Sequence, residues 1–196
     1  GKVNSSATRN LLEEGADTGG ILYQENFNVN KEHTAQDVEE SLLGAMEIAL
    51  DNLLPKLIEG WWNPKMQNEL DKSEYGVRKP NDGLVSWNES AYSIERLVKA
   101  AAHPHPGAFT FYGSSMLKIN NAWVEKKINI KGVIGRVLKL NKNRCLVQAG
   151  DGIIWIEIDN FESYKIRVGS LLGYKKDLEI FRLKKELIEL KKLLKN

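Results

Sequence analysis

Residues 75–112, YGVRKPNDGLVSWNESAYSIERLVKAAAHPHPGAFTFY, decide the fold, because the pattern of apolar residues changes character within them. Pro80-Asn81-Asp82-Gly83 is a turn signal. Past Trp87 and Asn88-Glu89-Ser90, the spacing of Ile94, Leu97, Val98 and Ala101 predicts an amphipathic helix. Pro104, Pro106 and Gly107 end it, since proline lacks the donor a continuing helix needs and restricts the residue before it. Beyond Gly107 the apolar spacing is that of strands. One domain closes in this stretch and another opens.

Working outward toward the C-terminus, strands are expected at 108–112, 116–124, 130–140, 145–149 and 153–158. The turns between them are Gly113-Ser114, Asn141-Lys142-Asn143 and Gly150-Asp151-Gly152. Five short strands at this spacing predict a small OB-like β-barrel. Residues 167–173 lead into a helix over 175–196, where Ile180, Leu183, Leu187, Leu190 and Leu194 are spaced 3, 4, 3 and 4. That is a coiled-coil-like seam flanked by Lys and Glu. Such a helix either pairs with a second copy or lies on its own barrel, because a short isolated helix is marginal in water.

Working outward toward the N-terminus, residues 61–75 read as irregular and polar, with Trp61, Trp62 and Met66 expected to be anchored. Thr34 is an N-cap for a long helix carrying Leu42, Leu43, Ala45, Met46, Ile48, Ala49, Leu53, Leu54 and Leu57. Pro55 is expected to bend or interrupt it, and Gly60 to end it. Residues 21–29 alternate as a strand or strand pair, residues 15–20 form a glycine loop, and residues 5–14 read as a short helix with Leu11 and Leu12 apolar. A doubly wound sheet needs several strand–helix repeats, and only one is present. The fold class is therefore α/β plus all-β: the C-terminal portion of an α/β domain over 1–103, the barrel over 104–174, and a tail helix over 175–196.

The 196 residues are 42% hydrophobic with five Trp, which supports packed cores. No run of 18 apolar residues is present, so no membrane span is expected. The first ten residues lack the apolar core of a secretory signal, and the single Cys145 fits a reducing cytoplasm. Asn4-Ser5-Ser6 and Asn88-Glu89-Ser90 match the glycosylation tripeptide by chance on that reading. The net charge of +2 is unevenly spread: residues 1–116 carry 10 Lys and Arg against 17 Asp and Glu, and residues 117–196 carry 18 against 9. A basic C-terminal half attracts nucleic acid, phosphate or an anionic surface, unless its lysines only solvate the tail helix.

Asp17, in Gly15-Ala16-Asp17-Thr18-Gly19-Gly20-Ile21, is the best catalytic candidate. An acid in a glycine loop before a strand projects into a cleft without steric cost, where it accepts a proton or orients a histidine. An ordinary Asp-Gly turn is the competing reading. His103 and His105 flank Pro104 with no third ligand nearby, and His33 is isolated, so no metal site is expected. Neither a G-x-G-x-x-G loop nor a P-loop occurs. Arg78 and Lys79 are placed to hold an anionic group. Lys126, Lys127, Lys131, Lys139, Lys142 and Arg144 could form a phosphate-binding face, with only Trp123 and Trp155 to stack bases.

Three segments together resemble the C-terminal part of the 10-formyltetrahydrofolate-dependent formyltransferases. Residues 15–21 resemble that family's D-[ST]-G-x-I loop, residues 78–83 with Trp87 its R-x-P-x-D-G…W stretch, and residues 104–109 its P-[WY]-P-G-A-F opening of the second domain, with His105 in the aromatic position. The resemblance spans nearly everything but the tail helix. The hinge is closest in wording to enzymes that formylate amino sugars on nucleotide carriers, although Lys99 stands where those often have Arg.

The resemblance implies a formyltransferase with Asp17 as catalytic carboxylate, Thr18, Gly19 and Arg78 in substrate or cofactor binding, no metal, and 10-formyltetrahydrofolate as donor. The family's catalytic Asn and His precede the aspartate loop by several tens of residues, and no histidine here stands in that motif. The chain is thus expected to be a portion of a longer enzyme, inactive alone, or a remnant without activity. The expected acceptor is a nucleotide-linked amino sugar, with initiator tRNA as the alternative. A non-catalytic assembly module, homo-oligomeric through the tail helix, is a third reading. A cytoplasmic location goes with all three.

Overall fold

The computed structural model describes residues 3–68, 70, 73–174 and 176–194. The chain folds as two compact units, Gly1–Asp82 with Lys99–Pro106, and Gly83–Val98 with Gly107–Asn196.

The first unit is an antiparallel strand pair, β1 (Asn4–Asn10) and β2 (Ile21–Asn28), packed against the long helix α1 (Ala35–Ile58). The short helix expected over residues 5–14 is a strand instead. Its Ser and Thr side chains compete poorly as helix formers, and a cross-strand ladder claims them: the Gln24 amide donates to Ser6 Oγ (2.9 Å) and Thr8 Oγ1 (3.0 Å). Leu12, one of the two leucines behind the helix reading, is fully exposed. Ala7 of β1 and Ala45, Ala49 and Leu53 of α1 are buried, whereas Leu43, Leu54 and Ile58 of the same helix are exposed.

A capping box starts α1. Asp37 N–H donates to Thr34 Oγ1, and Asp37 Oδ2 accepts from Thr34 N–H at 2.7 Å. That backbone donor, then the Thr34 hydroxyl, holds the Asp37 carboxyl below its usual range. A depressed folded value means the cap's contribution is present above the ordinary carboxylate range and is lost as pH falls through the folded value. Helicity of α1 is therefore expected to fall on acidification, and Thr34→Ala to weaken it by about 1 kcal/mol at neutral pH; circular dichroism against pH for both proteins checks this. Pro55 lies inside the last turn without ending the helix, and Glu59 is the C-cap.

The second unit comprises the first turns of α2 (Ala91–Ala101) and one five-stranded antiparallel sheet. Its strands are β3 (Ala108–Tyr112), β4 (Ser115–Glu125), β5 (Val137–Asn141), β6 (Arg144–Gln148) and β7 (Ile153–Ile158), in the order β3-β4-β7-β6-β5. No pairing of β3 with β5 closes the sheet among the described residues, so the expected barrel is not seen as a closed one. The strand expected from residue 130 begins only at Val137. Gly135 takes a left-handed φ of 80°, and the stretch before β5 holds on through single bonds, Gly135 N–H to the Gln148 carbonyl and the isolated bridge of Arg136 with Leu171.

Alternation along β7 buries Ile154, Ile156 and Ile158 on one face. On β4 the buried set is Leu117, Ile119 and Ala122, and a register irregularity between Ile119 and Asn121 supplies the extra residue that rephases it. Ile94 and Val98 of α2 are buried, as their spacing requires, and Ser90 Oγ caps the helix by accepting from Ser93 N–H at 3.0 Å. Trp87 Nε1 donates to the buried Thr110 hydroxyl at 2.9 Å. A Cβ on Gly83 would come within 2.6 Å of the Gly107 carbonyl oxygen, and Gly107 itself has a φ of 100°, so each end of the hinge signature needs glycine for its own reason.

Cys145 is fully enclosed in this core, and burial pushes its thiol up to about 12. A thiol so protonated is a poor nucleophile. Cys145 is expected to stay unreactive toward a disulfide reagent in the native state and to react at the rate of a free thiol in denaturant. The helix α3 (Lys176–Leu193) follows, and its leucine seam is exposed rather than laid on the sheet.

Candidate active site

The loop between β1 and β2 is closed on itself by backbone chemistry. Leu11 N–H donates to the Gly20 carbonyl (3.0 Å), and Thr18 Oγ1 donates to the Gly15 carbonyl (3.0 Å). At its apex Asp17 has a φ of 57°, a left-handed conformation that Asp tolerates better than most residues. A Cβ on Gly19 would fall 1.9 Å from the Leu11 carbonyl oxygen, so only glycine lets the loop fold back this tightly.

Residues 61–68 form the facing wall. Ile21 and Lys65 exchange both backbone hydrogen bonds at 2.8 Å, adding a short bridge beside β2. The Gln67 amide nitrogen donates to the Asp17 and Gly19 carbonyls, each at 2.7 Å. Both partners are acceptors, so the nitrogen end of the amide must face them. Gln67 thereby sets the height of the loop above the wall.

Between loop and wall lies an open cleft of about 1180 Å³. Asp17 and Thr18 line it, together with Tyr23 and Gln24 of β2, Trp61, Asn63, Lys65 and Tyr75. Three aromatic rings and several amides give the walls both flat apolar faces and hydrogen-bonding groups, the mixture expected of a small-molecule site. Trp61 and Met66 thus both have a place on the cleft, though both are exposed, whereas Trp62 is exposed and does not line it.

Of the residues singled out from sequence, Asp17, Thr18 and the Gly19 backbone come together here, and Arg78 does not line this cleft. Arg78 is exposed, with Nη2 3.3 Å from the Asp82 carbonyl oxygen, in the turn where Asp82 Oδ2 also accepts from Lys79 N–H at 2.6 Å. His33 lies 2.6 Å from the Asn30 amide through Nε2, outside the cleft. No three His, Cys, Asp or Glu residues cluster to hold a metal ion among the described residues. Gln67 was not foreseen: a glutamine in an irregular stretch carries no pattern, and its partners lie 48 and 50 residues away.

The basic face expected on the second unit is partly engaged within the unit. Arg144 pairs with Glu157 at 3.2 Å and lies 5.0 Å over the Trp123 ring, which in turn stacks on Trp155. Glu125 accepts from Lys127 N–H and from Trp155 Nε1, and these bonds hold its carboxyl below the usual range. Lys126 sits over the Tyr92 ring at 5.6 Å.

A helix-backed strand pair with a cleft under its loop, followed by a five-stranded antiparallel sheet, is a fold found in solved structures. HypX from Aquifex aeolicus, solved in complex with tetrahydrofolic acid, superposes with a TM-score of 0.62 at 22% identity, over 79% of this chain and 27% of its own. The N-formyltransferase from Helicobacter canadensis, solved with folinic acid and dTDP-3-aminofucose, gives 0.62 at 18% identity, over 81% and 57%. Methionyl-tRNA formyltransferase of Syntrophomonas wolfei subsp. wolfei is 29% identical over 155 residues, 79% of this chain and 49% of that protein. Residues 78–170 match the family described as formyl transferase, C-terminal domain. The matched stretch is just under half of the chain, and it is the part over which the chain is similar to that family. The chain spans about half the length of the curated relative.

Proposed function

We propose that this chain is the C-terminal portion of an N-formyltransferase that moves the formyl group of 10-formyltetrahydrofolate onto the amine of a nucleotide-linked amino sugar. The observation that carries the reading is Asp17: the loop resembling the family's aspartate motif has its acid on the rim of a cleft, in a chain whose residues 78–170 match the family's C-terminal domain. The likeness to a fold solved with folinic acid and a dTDP-amino sugar supports the choice of acceptor.

The donor supplies the formyl group when bound. The cleft's own groups suit part of such a ligand, with ring faces at Tyr23, Trp61 and Tyr75 and an amide at Asn63. Asp17, held at a fixed height by Gln67, accepts the proton lost by the amine or keeps a histidine from outside these residues correctly protonated. Thr18 and the Gly19 backbone shape the loop against the ligand, and Arg78 at the hinge offers a guanidinium to an anionic group. On this reading residues 1–103 complete the catalytic domain, 104–174 form the second domain as an open relative of the OB barrel, and the enzyme works in the cytoplasm.

The 29% identical methionyl-tRNA formyltransferase favours a second reading, in which the basic segment from residue 117 faces tRNA. The complete protein, assayed with 10-formyltetrahydrofolate against dTDP- and UDP-linked amino sugars and initiator methionyl-tRNA, is expected to formylate a sugar. Turnover of tRNA alone, with binding that falls steeply as salt rises, would overturn the sugar assignment. Turnover of neither would leave the non-catalytic assembly module.

A further inference from the structure

We propose that α3 is a dimerisation element that pairs in parallel with α3 of a second copy of this chain. The seam of Ile180, Leu183, Leu187, Leu190 and Leu194 is 49% to 86% exposed, so its apolar surface is uncovered in the single chain. An 18-residue helix of this kind is marginal in water without a partner. The charges beside the seam say what that partner is.

With Ile180, Leu187 and Leu194 at the a positions of a heptad, Leu183 and Leu190 fall at d. The flanking g positions are then Glu179 and Glu186, and the e positions Lys184 and Lys191. In a parallel pair each g residue meets the e residue of the following heptad on the other helix. Glu179 of one copy then faces Lys184 of the other, and Glu186 faces Lys191, twice over by symmetry. An antiparallel pair sets g against g and e against e, which brings Glu to Glu and Lys to Lys. The pattern is self-complementary in one direction only, as a two-fold dimer requires. Arg182 already holds Glu186 Oε1 at 3.1 Å, an exposed intrahelical pair that leaves the second carboxylate oxygen for the lysine across the seam.

Sedimentation of the full chain is expected to give twice the monomer mass, dissociating on dilution, with Leu187→Asp at the monomer mass. A wild-type monomer at every concentration, or a dimer that survives Leu187→Asp, overturns the proposal. Helix propensity is little changed by exchanging Glu for Lys, so Glu179→Lys with Glu186→Lys tests the charges without unfolding α3. That variant is expected to associate roughly tenfold more weakly at low salt; unchanged association overturns the charge argument. Direction is read from Leu183→Cys, which lies near one end of the seam and meets itself only in a parallel pair. Mild oxidation is expected to give a covalent dimer, with Cys145 enclosed and contributing no competing thiol. A non-covalent dimer that never cross-links overturns the parallel arrangement.

Discussion

Gly150→Ala is expected to destabilise the second unit by on the order of 3 kcal/mol. A Cβ at this position would stand 1.9 Å from the Asn88 carbonyl oxygen and 2.6 Å from its carbon. Both are backbone atoms, so no side-chain rotation relieves the overlap. Nor can the segment retreat cheaply. Gly150 N–H donates to the Glu89 carbonyl at 2.9 Å and Ala91 N–H to the Asp151 carbonyl at 2.8 Å, and these bonds tie the start of α2 to the β6–β7 turn. Moving Asn88 aside lengthens both. Gly152→Ala is the comparison: its Cβ would meet only Ala91 Cβ at an ordinary 3.5 Å, and its cost is that of a φ of 84°, about 1 kcal/mol. Denaturant midpoints followed by tryptophan fluorescence should therefore rank Gly150→Ala well below Gly152→Ala. Equal midpoints would mean that the turn and the helix start do not approach this closely.

In the complete protein, Asp17→Asn is expected to lower kcat for formyl transfer by roughly 10²–10⁴-fold while leaving folding intact. Asparagine preserves the size of the side chain and accepts a left-handed φ, so the loop keeps its shape and only the ability to take a proton is lost. The backbone contacts that hold the loop, from Gln67 to the Asp17 and Gly19 carbonyls, do not involve the carboxylate at all. An unchanged turnover number with an unchanged melting curve would remove Asp17 from the chemistry and return it to being a turn residue.

Local chemistry decides what is legible in the sequence. The helix ending at Ala101 announces itself by an apolar stripe and a proline stop, and the strands of the second unit by alternation between turns. The first strand cannot be read this way, because its evidence is a glutamine on the opposite strand reaching two hydroxyls. The segment before Val137 fails for the opposite reason: it has apolar residues at strand spacing, but the left-handed Gly135 breaks the ladder they would form. Closure of a barrel depends on pairings between strands far apart in sequence, which no single strand's pattern records. At the candidate site, a loop motif singled out Asp17, yet the wall that faces it is an irregular stretch some 50 residues on, legible only as polar.

Gln67 has a consequence for how this cleft can be altered. One amide sets the spacing between the acid's loop and the opposite wall, so inserting, deleting or reshaping residues in the 61–68 stretch re-aims the carboxylate without touching its own loop. On the proposed function, that remote stretch is a handle on acceptor preference that leaves every residue of the motif as it is.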